Sequence, residues 1–324
     1  MVEWSGPSRR ARIRMLLEMG WSGGYFLLPI VFYFVRDFRY TQLGVFFYEL
    51  ILLYPLWRFP ESPQWLLVQG KFDEATDLLT EAAVKNKRGR REDVVRKLSV
   101  LKRRYQEEED SNKEEKDRTI IDLWKVPRLL KFSLAQYVIW FSGAFVSYGV
   151  TYNAGDLGGS LFVNFLGFAL IDTLNNISMF FIIDRFKRRT LYLIFAFLTS
   201  FMLASMVPIS FDKNGFLGLR TTLLMLGKFS ANGMFHLIYL LAAEIYPTSV
   251  RHVGVGSCSV AARFGSTAAP FIREFTEATN LAATFGLFAT LSMLAGALGF
   301  LLPETKDQPI PDTLKQAERR KSTV

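Results

Sequence analysis

Eight predominantly apolar runs, at residues 16–35, 41–59, 133–153, 159–183, 190–210, 221–243, 253–272 and 281–302, take up about half of the chain. Between them, charged residues crowd into short clusters instead of recurring on one face of every turn, as they would on a helix half-exposed to water. A bilayer core about 30 Å thick takes roughly 20 apolar helical residues to cross. Inside hydrocarbon each backbone N–H and C=O needs an internal partner, so runs of this length are predicted to be helices. Tilted barrel strands would show shorter, alternating segments, and the sequence has no such pattern. The fold class predicted is all-α, a polytopic membrane protein.

One soluble insertion interrupts the pattern, at 67–131. Its first part, FDEATDLLTEAAVKN, sets Phe72, Ala75, Leu78, Leu79 and Ala82 on one helical stripe. A basic segment, REDVVRKLSVLKRRY, repeats the spacing with Val94, Val95, Leu98 and Leu101. The polar stretch QEEEDSNKEEKD follows, and then IIDLWKVPRLLKF, amphipathic enough to lie against a membrane surface. Surface helices in a linker account for this insertion better than a catalytic or nucleic-acid-binding domain does.

Charge adds an orientation. The net charge of +9 could point to nucleic acid, but the positions of the basic residues point to a membrane. Arg9, Arg10, Arg12 and Arg14 precede the first run, and residues 85–104 hold ten basic side chains against two acidic ones. Arg185, Lys187, Arg188 and Arg189 follow the fourth run, and Arg251 lies between the sixth and seventh. The alternate loops are sparse in Lys and Arg. By the positive-inside rule the basic loops are cytoplasmic, and an even span count puts both termini on that side. No nucleic-acid partner is expected. Cys258 is the only cysteine and the two histidines, His236 and His252, stand at unrelated positions, so neither an intramolecular disulfide nor a metal or cofactor site is expected. The basic start followed by an apolar run can mimic a signal peptide, but the run is too long and continues as a span.

An internal repeat organises the spans. Glu3 is followed seven residues later by Arg10, and Glu244 seven residues later by Arg251, with Pro and hydroxyl residues between them in both cases. Each unit precedes two spans, which close on Pro60-Glu61-Ser62 and on Pro303-Glu304-Thr305. Repeats of this kind mark transporters with two related halves. By that symmetry, 132–305 is a complete six-helix C-terminal bundle, and 1–66 holds the last two helices of an N-terminal bundle. The segment 67–131 is then the cytoplasmic loop and 306–324 a cytoplasmic tail.

The motifs VEWSGPSRR (2–10), YFVRDFRYTQL (33–43), PESPQWLL (60–67), YNAGDLGG (152–159), IDRFKRR (183–189), LGKFSANGMFHLIYLLAAEIYPTSVRHVGVG (226–256) and LPETKDQP (302–309) cover nearly the whole chain. In this order they resemble the organic cation/anion/carnitine transporter family of the major facilitator superfamily. The resemblance implies a partial superfamily fold, eight of twelve transmembrane helices, with the first four and the large loop after the first absent. It implies transport of organic ions (cation, anion or a zwitterion such as carnitine) by alternating access, with no enzymatic chemistry, in the plasma membrane. Lys187 stands where the family usually has Gly.

Two sets of residues follow. At cytoplasmic span ends, Glu3, Arg10, Glu61, Asp184, Arg188, Glu244, Arg251 and Glu304 can pair across helices close to water, where desolvation costs less. In the superfamily such clusters latch the cytoplasmic side; the alternative is topology signal at ordinary helix ends. Within the spans, ionisable groups are costly and normally face a cavity or a partner. Arg263, a family position that is often Arg in anion and carnitine carriers, leans toward anionic or zwitterionic substrates. Asp172 matches an acidic family position, while Asn176 replaces the lysine of anion carriers. A buried Asp172–Arg263 pair is the structural alternative. His236 matches a cavity position or is a packing histidine. Tyr33, Trp140, Tyr148 and Tyr152 match cavity-lining aromatics, suited to cation–π contact or stacking, although single aromatics in such a chain are more often lipid-facing. The alternative function is a truncated, non-transporting chain that is unstable or associates with a full-length relative.

Overall fold

A computed structural model describes residues 7–57, 71–86, 123–153, 160–183, 185–210, 217–247 and 250–306, with isolated positions between them. Each of the eight apolar runs coincides with a helix. These are α1 (Pro7–Val35) and α2 (Phe38–Trp57), then, after the loop helix α3 (Phe72–Lys85), α4 (Pro127–Tyr152), α5 (Leu161–Ile182), α6 (Arg188–Ile209), α7 (Leu217–Ile245) and α8 (Arg251–Ala268). A 3₁₀ turn (Ala269–Phe271) and the short α9 (Ile272–Ala278) lead into α10 (Leu281–Gly299). Among the described residues, α4, residues 162–182 of α5, α6 and α10 are long and apolar enough to cross a membrane by composition alone. The chain forms two compact units, Met1–Glu18 with Val31–Asp117, and Met19–Ile30 with Arg118–Val324.

In the first unit, the break between α1 and α2 is local chemistry. Arg36 takes a left-handed backbone (φ 51°) and its N–H bonds the Phe32 carbonyl at 3.0 Å, a helix-ending geometry usually given to glycine. The Asp37 carboxylate then accepts the Arg39 N–H at 2.8 Å and starts α2. Almost every described side chain of α2 is exposed, from Phe38 to Trp57. The stripe predicted on the loop is present: α3 buries Ala75 against Leu66, with Phe72, Leu78 and Leu79 around them. Val95 is exposed, while Val94, Leu98 and Leu101 lie outside the described residues.

In the second unit, α6 packs against both α7 and α10, α8 lies along α4, α4 also touches α7 and α10, and α5 rests on α7. Two layers of core result. One, toward the end that carries the basic loops, gathers Ile139, Trp140, Tyr192, Ile238, Tyr246 and Leu302. The other, toward the opposite end, gathers Phe145, Phe168, Leu203, Phe285 and Phe288. Lipid tails are as apolar as these side chains, so close packing and interhelical hydrogen bonds must hold the bundle together. Tyr192 donates to the Ala295 carbonyl and Ser200 to the Ala289 carbonyl, both at 2.8 Å, joining α6 to α10. Asn175 donates to the Phe229 carbonyl at 2.8 Å, joining α5 to α7. Gly265 brings α8 onto the backbone of α4 at Phe141 and Phe145.

Helix starts follow ordinary rules. Pro127 opens α4 at its first turn after an extended Val126. Asn280 caps α10 by accepting the Ala283 N–H at 2.7 Å. Lys187, at the position usually glycine in the family, has φ −65° and ψ 135°, a conformation open to any residue, so the lysine is accommodated without strain.

Candidate functional site

Asp172 lies eleven residues from the start of α5 and ten from its end. At 1.5 Å per residue it stands about 15 Å from either terminus, the depth at which a charge is hardest to hold in hydrocarbon. It is half-buried and accepts a hydrogen bond from Asn232 on α7. The Asn232 carbonyl in turn accepts the Ser147 hydroxyl of α4 at 3.0 Å. On the other side of Ser147 is the ammonium of Lys228, 5% exposed, which donates to the Ser147 carbonyl at 3.2 Å, to its hydroxyl at 3.4 Å and to the Thr151 hydroxyl at 2.8 Å. Among the described residues Lys228 therefore bonds neutral oxygens only. Asp172 is nevertheless within electrostatic range of it.

Helical spacing assembles this constellation. Lys228, Asn232 and His236 recur at four-residue intervals on α7, Ser147 and Thr151 on α4, and Asp172 and Asn176 on α5. Residues Met19–Ile30 of α1 belong to the same unit and close one side. Ser22 receives a hydrogen bond from Asn176 at 2.8 Å, and Tyr25 lies beside Thr151, Asp172 and Tyr148. Three helices and this stretch of α1 thus surround one half-buried carboxylate and one buried ammonium.

The other expected site residues are placed as follows. Tyr148 and Tyr152 sit on successive turns of α4, 36% and 54% exposed, and His236 is half-buried. Arg263 is exposed on α8, and among the described residues no ion pair joins it to Asp172, so the alternative of a buried Asp172–Arg263 pair is not formed. Trp140 is fully buried, donating to Gln136 at 3.0 Å and packed on the Tyr239 ring at 4.2 Å. Tyr33 is exposed and belongs to the other unit. Sequence reasoning missed Lys228, Asn232 and Ser147. The lysine carries a plain signal, an ionisable side chain inside the run 221–243, whereas neutral Asn and Ser in a span carry almost none.

At the basic end, charges meet backbone as much as other charges. Arg188 Nε lies 3.7 Å from a Glu244 carboxylate oxygen, and Thr305 donates to the other oxygen at 2.5 Å. Arg188 also donates to the Ile183 carbonyl. Glu304 accepts the N–H groups of Arg188 (2.9 Å), Arg189 (3.2 Å), Thr305 (3.1 Å) and Lys306 (3.1 Å). It therefore caps α6 from the far end of the chain, supplying a carboxylate to N–H groups that have no partner within the helix. Among the remaining latch residues, Glu61 is exposed. Glu3, Asp184 and the Arg10 side chain lie outside the described residues. Glu304→Ala is expected to destabilise the bundle by about 1–2 kcal/mol, the usual cost of a lost cap, with Glu304→Gln intermediate. A thermal-unfolding series on purified protein measures this, and an unchanged midpoint for the alanine variant would contradict it.

The fold has counterparts among known proteins. The sugar (and other) transporter family matches residues 1–313, and the chain belongs to that family of the major facilitator superfamily. Among curated relatives, the organic cation transporter protein of Drosophila melanogaster is 30% identical over 98% of this chain and 57% of its own length. Solute carrier family 22 member 1 of Sus scrofa is 31% identical over 98% of this chain and 56% of its own. The human organic cation/carnitine transporter 2 is 28% identical over 92% and 52%. The chain thus spans about half the length of the curated relatives it matches. A solved proton:xylose symporter of the superfamily shares the fold, with a TM-score of 0.65 at 18% identity, covering 95% of this chain and 67% of the symporter. The protein is a multi-pass membrane protein of this family.

Proposed function

We propose that the chain takes part in transmembrane transport of organic ions by alternating access, and that the polar constellation of α4, α5 and α7 is its substrate site. The observation that carries this reading is Lys228 and Asp172 held at mid-depth, linked through neutral side chains instead of being paired directly. A direct pair would cancel both charges. Separated charges leave each able to meet a charged group of a substrate, while the bundle covers the cost of their burial with hydrogen bonds. Tyr25, Tyr148 and Tyr152 would add ring faces for an organic body, with His236 on the same α7 stripe and Arg263 on α8 as a further charge. The Arg188–Glu244 contact and the Glu304 cap form the structural part of a cytoplasmic latch. Relatives named for organic cations and carnitine support the organic-ion class, and the basic loops support cytoplasmic termini.

The test is uptake of labelled carnitine, an organic cation and an organic anion by cells making only this chain. Saturable uptake of at least one is expected, falling by about tenfold or more for Lys228→Ala and Arg263→Ala at equal membrane abundance, the effect of losing about 1.4 kcal/mol of binding. One observation favours a second reading. With α2 exposed along nearly its whole length, the chain has an apolar surface that a longer relative could cover. Absence of saturable uptake from a chain present in the membrane, with co-purification of a longer family member, would replace the first reading by that one.

A further inference from the structure

Lys228, Ser147, Asn232 and Asp172 form a relay in which every hydrogen bond points the same way. The ammonium can only donate and the carboxylate can only accept. Between them, Ser147 accepts from Lys228 and spends its single hydroxyl proton on the Asn232 carbonyl, which leaves the amide N–H₂ facing Asp172. Thr151 reinforces this polarity, donating to the Ser147 carbonyl at 2.9 Å and accepting from Lys228 at 2.8 Å. The Asn232 amide accepts from the serine through its carbonyl and donates to the carboxylate through its N–H₂ at the same time. Leucine of similar volume does neither. An aspartate could accept from Ser147 but would set a second negative charge against Asp172.

We infer that Asn232 is a positioning residue that sets the charge selectivity of this site, by spacing Lys228 from Asp172 so that the two do not pair directly. The inference rests on the organic-ion site proposed above and names the residue that tunes it. With Asn232 in place the relay carries one positive and one negative side chain, for a net charge of zero. A residue at position 232 that adds a negative charge tips the balance toward cations, because Lys228 is then outnumbered. Loss of the amide lets the lysine and aspartate turn toward each other and withdraws both from the substrate.

The test compares the full chain with its Asn232→Asp, Asn232→Leu and Ser147→Ala variants, measuring uptake of tetraethylammonium and of benzoate together with their binding to purified protein. Asn232→Asp is expected to raise the cation-to-anion ratio about tenfold, equivalent to about 1.4 kcal/mol. Asn232→Leu is expected to raise KM for both probes, and Ser147→Ala to reproduce that change, since the hydroxyl orients the amide. A purely structural role would scale both probes by one factor. An unmoved ratio in Asn232→Asp, with uptake or binding retained, therefore overturns this inference and leaves the organic-ion reading standing. If the unsubstituted chain neither takes up nor binds either probe, the organic-ion reading fails, and the inference falls with it.

Discussion

Replacing Asp172 by Leu is expected to stop uptake and to lower the stability of the bundle by about 3–5 kcal/mol, the cost of leaving one buried charge without its counterpart. Lys228 is almost fully enclosed, and among the described residues it donates only to Ser147 and Thr151. Its compensating negative charge is supplied across the relay by Asp172. Removing the carboxylate also deprives Asn232 of its acceptor, so a second polar group loses its partner. Adding Lys228→Met to Asp172→Leu should recover most of the stability, because apolar replacements of a buried charge pair are often neutral or better. Uptake should stay absent in the double variant. Thermal unfolding of the purified single and double variants reads the coupling directly. Additive losses, with the double variant the least stable of the set, would show that the two charges do not compensate each other.

The second large effect is steric. At Gly265, a Cβ would fall against the Phe141 carbonyl oxygen, closer than real Cβ atoms come, with the Phe145 nitrogen 3.1 Å away. Both obstacles are backbone, so no rotamer change relieves the clash, and α8 would have to move off α4. Cys258, Ala262 and Ala269 are buried on the same helical stretch, so separation would open that contact along its length. Gly265→Val is expected to cost about 3 kcal/mol or more, the range of severe packing defects, and Gly265→Ala part of that. By contrast, Gly256 on the same helix has nothing within 4 Å of an added Cβ. Gly256→Ala should leave the protein as stable as before, or slightly more so through helix propensity. Size-exclusion profiles after heating distinguish the two positions. A monodisperse, heat-resistant Gly265→Val protein would refute the close-approach argument.

The spans were legible because length and apolarity are properties of a contiguous segment. Each of the eight runs lies in helix, and the starts move outward by up to about two and a half turns where Arg extends a helix beyond its apolar stretch, as at Pro7–Met15 and Arg188. The Phe72–Leu79 stripe was legible for the same reason. Site residues were only partly legible. Asp172 stands out because carboxylates are rare at that depth. Arg263 stands out equally and yet is exposed, because burial depends on which face of α8 meets α4, and Gly265 and Ala262 take that face. Trp140 illustrates the converse, an aromatic expected at a cavity that instead packs between Gln136 and Tyr239. Glu304 is a further case. Its acidic ending was visible as half of a repeat, but two of its partners, the Arg188 and Arg189 N–H groups, lie more than a hundred residues away.

What this sequence determined by itself is therefore the helical class, the number and order of apolar helices, the basic polarity of alternate loops and the family resemblance. All of these reside in local composition, spacing or motif. Which intramembrane polar groups meet depends instead on how the helices pack. Lys228 and Asp172 are 56 residues apart, on different helices, and Ser147 and Asn232 come between them from two faces that periodicity alone cannot rotate into register. A hydrogen bond depends on ångström-scale placement of two side chains, and in this bundle that placement follows from how closely α4, α5 and α7 approach one another.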